Sequence, residues 1–358
     1  MRRDWSPPSH WIRVTTLDVH TAGEPLRIIT GGFPTIPGDT ILEKRRNARE
    51  HWDHLRTALM WEPRGHADMY GAILTEPVTE DGDAGVLFLH NEGFSTMCGH
   101  GIIGLAMAGM EGGAVAWVEG PDIGESGVGE SGAGTGPTPL RLDTPAGRVT
   151  AFPHVEHERI TSASFLNVPS FVYALDQEVA VDGLGLVRYD VAFGGAFYAF
   201  CRAEELGVTL EAGDVRTLMD VGMRIKRAVM ASLPIEHPFE PDLGFLYGTI
   251  LVGDAHQPGN HSRNVCVFAE GEVDRSPTGT GVSARAALHF ARGEMSVGVP
   301  FTVESILGTT FTGEVVEPTR FGPHDAVIPR VSGTSYITGR NELLIDPEDP
   351  LRHGFILR

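Results

Sequence analysis

A cysteine followed by a glycine and a histidine is the most chemically suggestive feature of the sequence. Cys98, Gly99 and His100 lie at the beginning of a predicted helix, His100–Met110. Unpaired N–H groups and the positive end of the helix dipole stabilise a thiolate, so we expect a lowered pKa for the Cys98 thiol. Gly99 lets the backbone approach a bound molecule closely, and His100 can carry a proton. These residues predict a reactive thiol.

A second glycine-rich segment, Asp274–Gly281, precedes another predicted helix, Val282–Arg292. The N–H groups of Gly279 and Thr280 at this helix start are suited to binding an anion such as a carboxylate. Asp274 lies close to that anion site in the sequence, and we expect it to bind the ammonium group of a substrate.

The two segments align at an offset of 180 residues, about half of the chain. Aligning Cys98 with Thr278 also aligns Gly101 with Gly281. The first predicted helix is apolar or small on every side and the second is nearly so, which indicates that each is surrounded by protein. The pattern predicts an internal duplication with one central helix in each half.

The elements that position these helices are mostly strands. Short apolar runs broken by Gly, Pro or Asp predict strands, and helical spacing predicts fewer helices. The strand runs include Gly85–Leu89, Phe193–Phe200, Tyr247–Val252 and Asn264–Phe268, and the further helices are an exposed one at Thr40–Leu59 and one at Val215–Arg227. We expect one domain from residues 11–188 plus 339–358, carrying Cys98, and a second from 189–338, carrying Asp274 and Thr278.

Composition limits the class of protein. The 358 residues carry 28 Lys and Arg against 47 Asp and Glu, a formal net charge of −19. No basic stripe is available for a nucleic-acid backbone. Three distant cysteines form no disulfide framework, and neither a secretory signal nor a run of 18 apolar residues is present. We therefore expect a cytoplasmic protein without a nucleic-acid or membrane partner, whose partner is a small molecule.

Two glycine patterns resemble nucleotide-binding motifs. Gly127–Gly132 fits G-x-G-x-x-G but has no preceding strand and no following helix. Gly279–Ala284 fits G-x-G-x-x-A in the right context, although Pro277 and Thr278 interrupt the direct turn from strand to helix. We expect neither to bind a dinucleotide, and we expect no cofactor or metal.

Four segments together resemble the proline racemase family. They are Met97–His100, Asp274–Gly281, Asp18–Pro25 and Arg64–Met69. This family includes proline racemases, hydroxyproline 2-epimerases and trans-3-hydroxy-L-proline dehydratases. The resemblance implies an α/β (α+β) fold similar to that of diaminopimelate epimerase, with two pseudo-symmetric halves. Each half would be a strand barrel around a central helix, and the substrate would bind in the cleft between them.

The sequence departs from the racemase pattern at one position. Racemases and epimerases of this family carry cysteine at both helix starts, whereas this chain has Cys98 and Thr278. A threonine hydroxyl is a poor general acid or base near neutrality. A Cys and Thr pair is the pattern of the trans-3-hydroxy-L-proline dehydratases. The resemblance therefore implies a homodimeric, cofactor-independent dehydratase that forms Δ1-pyrroline-2-carboxylate, with Cys98 as the acceptor of the Cα proton.

The hypothesis gives each remaining residue a role. The N–H groups of Gly99, His100, Gly279 and Thr280 would stabilise the substrate carboxylate. Asp274 would bind the ring ammonium, with His100 as a second candidate. Either Cys98 alone, or Thr278 or a water molecule beside it, would assist departure of the hydroxyl.

Three alternatives remain open from the sequence. The first is a 4-hydroxyproline 2-epimerase or proline racemase. The second is a thiol hydrolase using Cys98 and His100, although we expect these side chains to point in different directions. The third is a non-catalytic amino-acid-binding protein. Candidate aromatic residues for the ring pocket are Phe193, Phe197 and Phe245, whereas Cys201 and Cys266 are expected to be buried and inert.

Overall fold

The computed structural model describes residues 5–115, 119–121, 135–157 and 159–357 of the chain. The glycine motif Gly127–Gly132 lies outside the described residues. Within these ranges the helices are α1 (Ile41–His51), α2 (Asp53–Met60), α3 (Gly99–Gly104, continued by a π-helical turn at Leu105–Gly109), α4 (Val215–Ser232) and α5 (Gly279–Ala291). The strands of the same ranges are β1 (Ile12–Thr21), β2 (Glu24–Gly31), β3 (Tyr70–Thr75), β4 (Ala84–His90), β5 (Gly93–Phe94), β6 (Glu119–Pro121), β7 (Thr135–Pro137), β8 (Leu140–Thr144), β9 (Gly147–Glu156), β10 (Arg159–Leu166), β11 (Ser170–Val181), β12 (Gly185–Phe193), β13 (Phe197–Arg202), β14 (Leu246–Gly253), β15 (Ser262–Phe268), β16 (Glu272–Val273), β17 (Phe301–Glu304), β18 (Thr310–Phe321), β19 (His324–Gly333) and β20 (Ser335–Ile345).

Eight strands close into a barrel in the C-terminal part of the chain. Strand β11 pairs with β12, β12 with β13, β13 with β14 and β14 with β15. Strand β15 pairs with β17, β17 with β18 and β18 with β19, which returns to β11. Helix α5 contacts β11, β12, β13, β18 and β19. This helix therefore lies inside the ring of strands.

The N-terminal part of the chain repeats the same pattern. Strands β1, β2, β3, β4, β8, β9 and β10 pair in that order. The ring is completed because β10 pairs with the end of β19 and β1 pairs with β20, which follows β19 directly. Helix α3 contacts β1, β2, β10, β19 and β20. The predicted α/β fold of two similar halves, each with a central helix, is confirmed.

The two central helices meet at their N-termini. A Cβ atom placed on Gly99 would lie 2.6 Å from the Cα of Gly279, and one on Gly279 would lie 2.7 Å from the Cα of Gly99. Real Cβ atoms do not approach backbone this closely, so both positions need glycine. The duplication therefore brings two sets of unpaired helix N–H groups to one place between the barrels.

Several local predictions need adjustment. The predicted strands at Gly85–Leu89, Tyr247–Val252 and Asn264–Phe268 lie within β4, β14 and β15. Phe193–Phe200 is not one strand, because residues 194–196 turn the chain between β12 and β13. Thr40–Leu59 is two helices, and Thr40 caps the first in a capping box with Glu43.

Strand pairing favours domain limits slightly different from those expected. Strand β11 and the beginning of β12 precede residue 189 but pair within the C-terminal barrel. The beginning of β20 precedes residue 339 but pairs with β1. We therefore propose that the first domain comprises residues 11–169 plus 334–357, and the second residues 170–333. Among the described residues, no helix is long and apolar enough to cross a membrane.

We predict that Gly99→Ala lowers the free energy of unfolding by about 1–3 kcal/mol, because the new methyl group forces the two helix starts apart. Urea denaturation followed by far-UV circular dichroism would measure the loss. Gly213→Ala is the matched control, since a Cβ atom at Gly213 meets nothing within 4 Å. Equal stability of the Gly99→Ala variant and the wild type would contradict close contact of the two helices.

Candidate active site

A small cavity lies where the two central helices meet, and we call it the inter-helix cavity. Its volume is about 20 Å³, and a single water molecule needs roughly 10–15 Å³. All seven residues predicted for the site line it: Cys98, Gly99, His100, Asp274, Thr278, Gly279 and Thr280. The remaining lining residues are Glu24, Met97, Tyr70, Tyr198, Tyr247, Cys266 and Phe268. The structure therefore joins both helix-start segments in one site.

Cys98 is the N-cap residue of α3. Its backbone is extended, with φ −143° and ψ 106°, and its Sγ accepts a hydrogen bond of 3.2 Å from the N–H of Gly101. Burial nevertheless raises the thiol pKa well above its ordinary value, and the charges of Asp274 and Glu24 raise it further. The expectation of a lowered pKa is wrong for this closed site, because desolvation of a fully buried thiolate outweighs the helix N–H group.

His100 contacts the thiol directly. Its Nδ1 lies 3.2 Å from the Sγ of Cys98. The expectation that the two side chains point apart is wrong, because the extended backbone of an N-cap residue directs its side chain over the first helical turn. Burial, aided by the charge of Arg275, lowers the pKa of His100 to about 3. The imidazole is therefore neutral near neutral pH.

Thr278 occupies the equivalent N-cap position of α5 but has an unusual backbone. Its φ of 67° and ψ of 92° fall outside the regions that a β-branched residue normally adopts. Its Oγ1 is buried, and its hydroxyl lowers the pKa of Asp274 and of Cys266 through hydrogen bonds. A strained backbone at a buried polar residue is typical of a functional position.

Asp274 precedes α5 and its carboxylate is buried beside the cavity. Oδ1 accepts a hydrogen bond of 2.7 Å from the N–H of Ser276. Burial raises the pKa of Asp274, while its hydrogen bonds to Ser276 and Thr278 and the charge of Arg275 act in the opposite direction. A bound cation would compensate the desolvated carboxylate.

A second buried carboxylate, that of Glu24, was not singled out in the sequence. Glu24 follows the turn between β1 and β2, and its side chain is 1 % exposed. Its Oε2 accepts a hydrogen bond of 2.8 Å from the backbone N of Arg275 and lies 3.1 Å from the guanidinium Nε of the same residue. This contact links the two halves across the cavity. The one available signal was the position of Glu24 within Asp18–Pro25.

The aromatic residues around the cavity also differ from those expected. Phe193, Phe197 and Phe245 do not line it, and Phe193 packs against Phe171 and Phe197 within the barrel. The aromatic side chains that line it are Tyr70, Tyr198, Tyr247 and Phe268. They come from β3, β13, β14 and β15, which the sequence could not bring together without the strand pairing.

The tyrosine hydroxyls are held by hydrogen bonds. Tyr70 donates to the Oγ of Ser95 at 2.6 Å, and the hydroxyls of Tyr198 and Thr280 are also 2.6 Å apart. The ring of Tyr247 stacks on Phe268 with centroids 5.4 Å apart. Burial raises the pKa of each tyrosine well above its ordinary value, so the phenols are neutral. Cys266 lines the cavity too, and burial likewise raises its thiol pKa.

Within the described ranges, no group of three or more His, Cys, Asp or Glu side chains has the arrangement of a metal site. The cavity instead combines two thiols, two carboxylates, a neutral imidazole and the N–H groups of two helix starts. Such a site can bind a small zwitterion and move a proton to or from it.

Comparison of the sequence with models of known protein families identifies the family of this chain. A family model described as proline racemase matches residues 16–356. The chain belongs to the proline racemase family. The resemblance carried by the four sequence segments is confirmed.

Two relatives of this chain in the proline racemase family are named after different reactions. A trans-3-hydroxy-L-proline dehydratase from Colwellia psychrerythraea is 44% identical over 99% of this chain and 96% of its own length. A 3-hydroxyproline 2-epimerase from Burkholderia multivorans is 42% identical over 96% of this chain and 98% of its own. Relatives at similar identity therefore include both a lyase and an epimerase.

Solved structures confirm the fold of this family member. A hydroxyproline epimerase from Agrobacterium vitis, solved with bound trans-4-hydroxy-L-proline, superposes with a TM-score of 0.87. It is 30% identical, and the match covers 98% of this chain and 96% of that one.

We predict that His100→Gln reduces the loss of stability in acid. An unfolded chain binds a proton at this position as the pH falls below about 6.5, whereas the folded chain does so only near pH 3. Between about pH 6 and pH 4 the free energy of unfolding of the wild type should therefore fall more steeply, by about 1.4 kcal/mol per pH unit. Urea denaturation of both proteins across this range would measure the difference, and parallel slopes would argue against a buried neutral imidazole.

Proposed function

We propose that this protein is a trans-3-hydroxy-L-proline dehydratase, which removes water from its substrate to give Δ1-pyrroline-2-carboxylate. The observation that carries the proposal is the pairing of one thiol, Cys98, with one threonine, Thr278, at the two helix starts that face the inter-helix cavity. Racemisation by two bases needs a proton carrier at each position, and a threonine hydroxyl is a poor one near neutrality.

The substrate carboxylate is assigned to the paired helix starts. The N–H groups of Gly99, His100, Gly279 and Thr280 belong to the first turns of α3 and α5, where helix N–H groups lack partners within the helix. As the Cα proton leaves, negative charge spreads into the carboxylate. Fixed N–H groups at that position stabilise the charge without reorganisation, so the reaction needs no cofactor as an electron sink.

The ring ammonium is assigned to the buried carboxylate of Asp274. This ion pair also affects the thiol, because the negative charge of Asp274 raises the pKa of Cys98. A positive charge placed beside Asp274 offsets that effect and favours the thiolate. Substrate binding therefore helps to create the base that the reaction needs.

The geometry of the substrate suits a single thiol. In trans-3-hydroxy-L-proline the Cα hydrogen and the 3-hydroxyl share one face of the ring, because the carboxylate and the hydroxyl lie on opposite faces. Cys98 removes the Cα proton from that face, and loss of the hydroxyl gives an enamine that tautomerises to the imine. The proposal includes a homodimer acting in the cytoplasm, with no metal.

One observation favours a second function. The contact between Cys98 and His100 resembles the nucleophile and base of a thiol hydrolase. The low pKa of His100 opposes it, because a thiolate–imidazolium pair requires a protonated imidazole. A burst of acyl-enzyme formation on Cys98 with an activated ester would support this alternative.

The decisive experiment is a mass measurement of products from proline, 3-hydroxyproline and 4-hydroxyproline isomers in deuterated water. We expect trans-3-hydroxy-L-proline to give a product lighter by one water, and Cys98→Ala to give none while retaining its circular dichroism spectrum. An epimerase or racemase would instead return a product of substrate composition carrying one Cα deuteron. A binding protein would return every isomer unchanged and undeuterated.

We predict that Thr278→Cys introduces proton exchange on the second face of the substrate. The new thiol would lie at the start of α5, equivalent to Cys98 at the start of α3. Chiral chromatography of trans-4-hydroxy-L-proline or L-proline incubated with the variant should detect the epimer. Thr278→Ala is the control and should form none. Absence of epimer with a folded Thr278→Cys variant would indicate that residue 278 does not face the substrate.

A further inference from the structure

We propose that Glu24 is the general acid that protonates the departing 3-hydroxyl group. This inference rests on the proposed dehydration and adds the residue that completes it, since a hydroxyl leaves readily only as water. Under this proposal, neither Cys98 nor Thr278 supplies the proton that the departing hydroxyl takes up.

The carboxyl group of Glu24 lies at the edge of the cavity with one oxygen available to a ligand. Glu24 lines the inter-helix cavity, but it belongs to β2 rather than to either helix start. Its Oε2 contacts the backbone N and the guanidinium Nε of Arg275, whereas its Oε1 is buried and has no hydrogen-bond partner among the described residues. An unsatisfied carboxyl oxygen at the edge of a cavity is suited to a ligand hydroxyl.

Several acidic groups surround one small space. Glu24, Asp274 and Cys98 all line a cavity of about 20 Å³. Burial disfavours ionisation of Glu24 and the charge of Asp274 adds to this effect, while Arg275 opposes it. Both carboxylates disfavour ionisation of the thiol. All three groups cannot be anionic together in a buried site. If Cys98 is the base and Asp274 binds the ammonium, Glu24 is the group that carries a proton, on Oε1, while Oε2 keeps its contacts with Arg275.

Two phenols that line the cavity, those of Tyr70 and Tyr198, are already engaged. The proton of Tyr70 is directed to Ser95, and the hydroxyl of Tyr198 pairs with that of Thr280. Burial also raises the pKa of both phenols, which makes them weaker acids. Burial raises the pKa of Glu24 too, but a carboxylic acid is a stronger acid than a phenol and is the better proton donor.

The protons and electrons of the reaction then balance. The Cα–H bond breaks, its proton passes to the Cys98 thiolate, and its electron pair forms the C2–C3 double bond. The C3–O bond breaks towards oxygen, which takes the Glu24 proton and leaves as water. The enamine gains a proton at C3 from the Cys98 thiol and loses one from nitrogen to the Glu24 carboxylate. Both residues return to their starting states, and the product is protonated Δ1-pyrroline-2-carboxylate.

Glu24→Gln separates removal of the Cα proton from loss of water. The amide keeps the shape of the side chain and an oxygen for Arg275, but it cannot donate an acidic proton. In deuterated water we expect water loss from trans-3-hydroxy-L-proline to fall by about 100-fold or more. The variant should still exchange the Cα hydrogen of the recovered substrate for deuterium, because Cys98 is intact. Retained exchange also shows that the variant is folded.

Asp68→Asn is the matched control, because Asp68 contacts the same Arg275 at 3.8 Å but does not line the cavity. We expect its dehydration rate to stay within a few fold of the wild type. Glu24→Asp should retain partial dehydration with an altered acidic limb of the pH profile. This second variant tests the proposal even if Glu24→Gln fails to fold.

Three results would overturn the assignment. Dehydration by Glu24→Gln at the wild-type rate would show that another group supplies the proton. Loss of Cα exchange together with dehydration in a folded Glu24→Gln variant would assign Glu24 to substrate binding instead. An unchanged pH profile in Glu24→Asp would also contradict it. Failure of the wild type to dehydrate the substrate at all would overturn the proposed function itself and is recognised before any variant is made.

Discussion

The contact between Gly99 and Gly279 is the constraint on which the rest of the site depends. The Cα atoms of these residues approach so closely that neither position can carry a side chain. Each barrel must therefore enclose its own helix and still present that helix's N-terminus at the shared boundary. The small and apolar residues of α3 and α5 satisfy the first requirement, and the two glycines satisfy the second. The binding site follows from packing two copies of one motif end to end.

Burial determines the electrostatics of this site more strongly than the helix ends do. Desolvation is the largest cause of the raised pKa of Cys98, Asp274 and Glu24, and of the lowered pKa of His100. Burial therefore disfavours the charged form of each of these groups while no charged molecule is bound. A zwitterionic substrate brings a cation and an anion together. These charges pair with the groups of the site whose charged forms burial disfavours.

Much of this architecture could be predicted from the sequence, because its signals are local. A cysteine at a helix start and the offset between Cys98 and Thr278 located both segments of the site and the duplication. Glu24 and the tyrosines could not be found in the same way, since they reach the cavity through pairing between distant strands. The thiol pKa was predicted in the wrong direction because a helix start is visible in sequence, whereas complete burial is a property of the fold.

The size of the inter-helix cavity has a consequence for the timing of catalysis. A space of about 20 Å³ is too small for any amino acid. A substrate therefore enters only if the groups around the cavity move, and the contact between Glu24 and Arg275 spans the boundary between the halves. Such a movement would expose the carboxyl groups and the thiol to water, and its reversal would remove the water around the bound molecule. Turnover of this enzyme then includes a conformational step, and the rate of that step sets an upper limit on kcat.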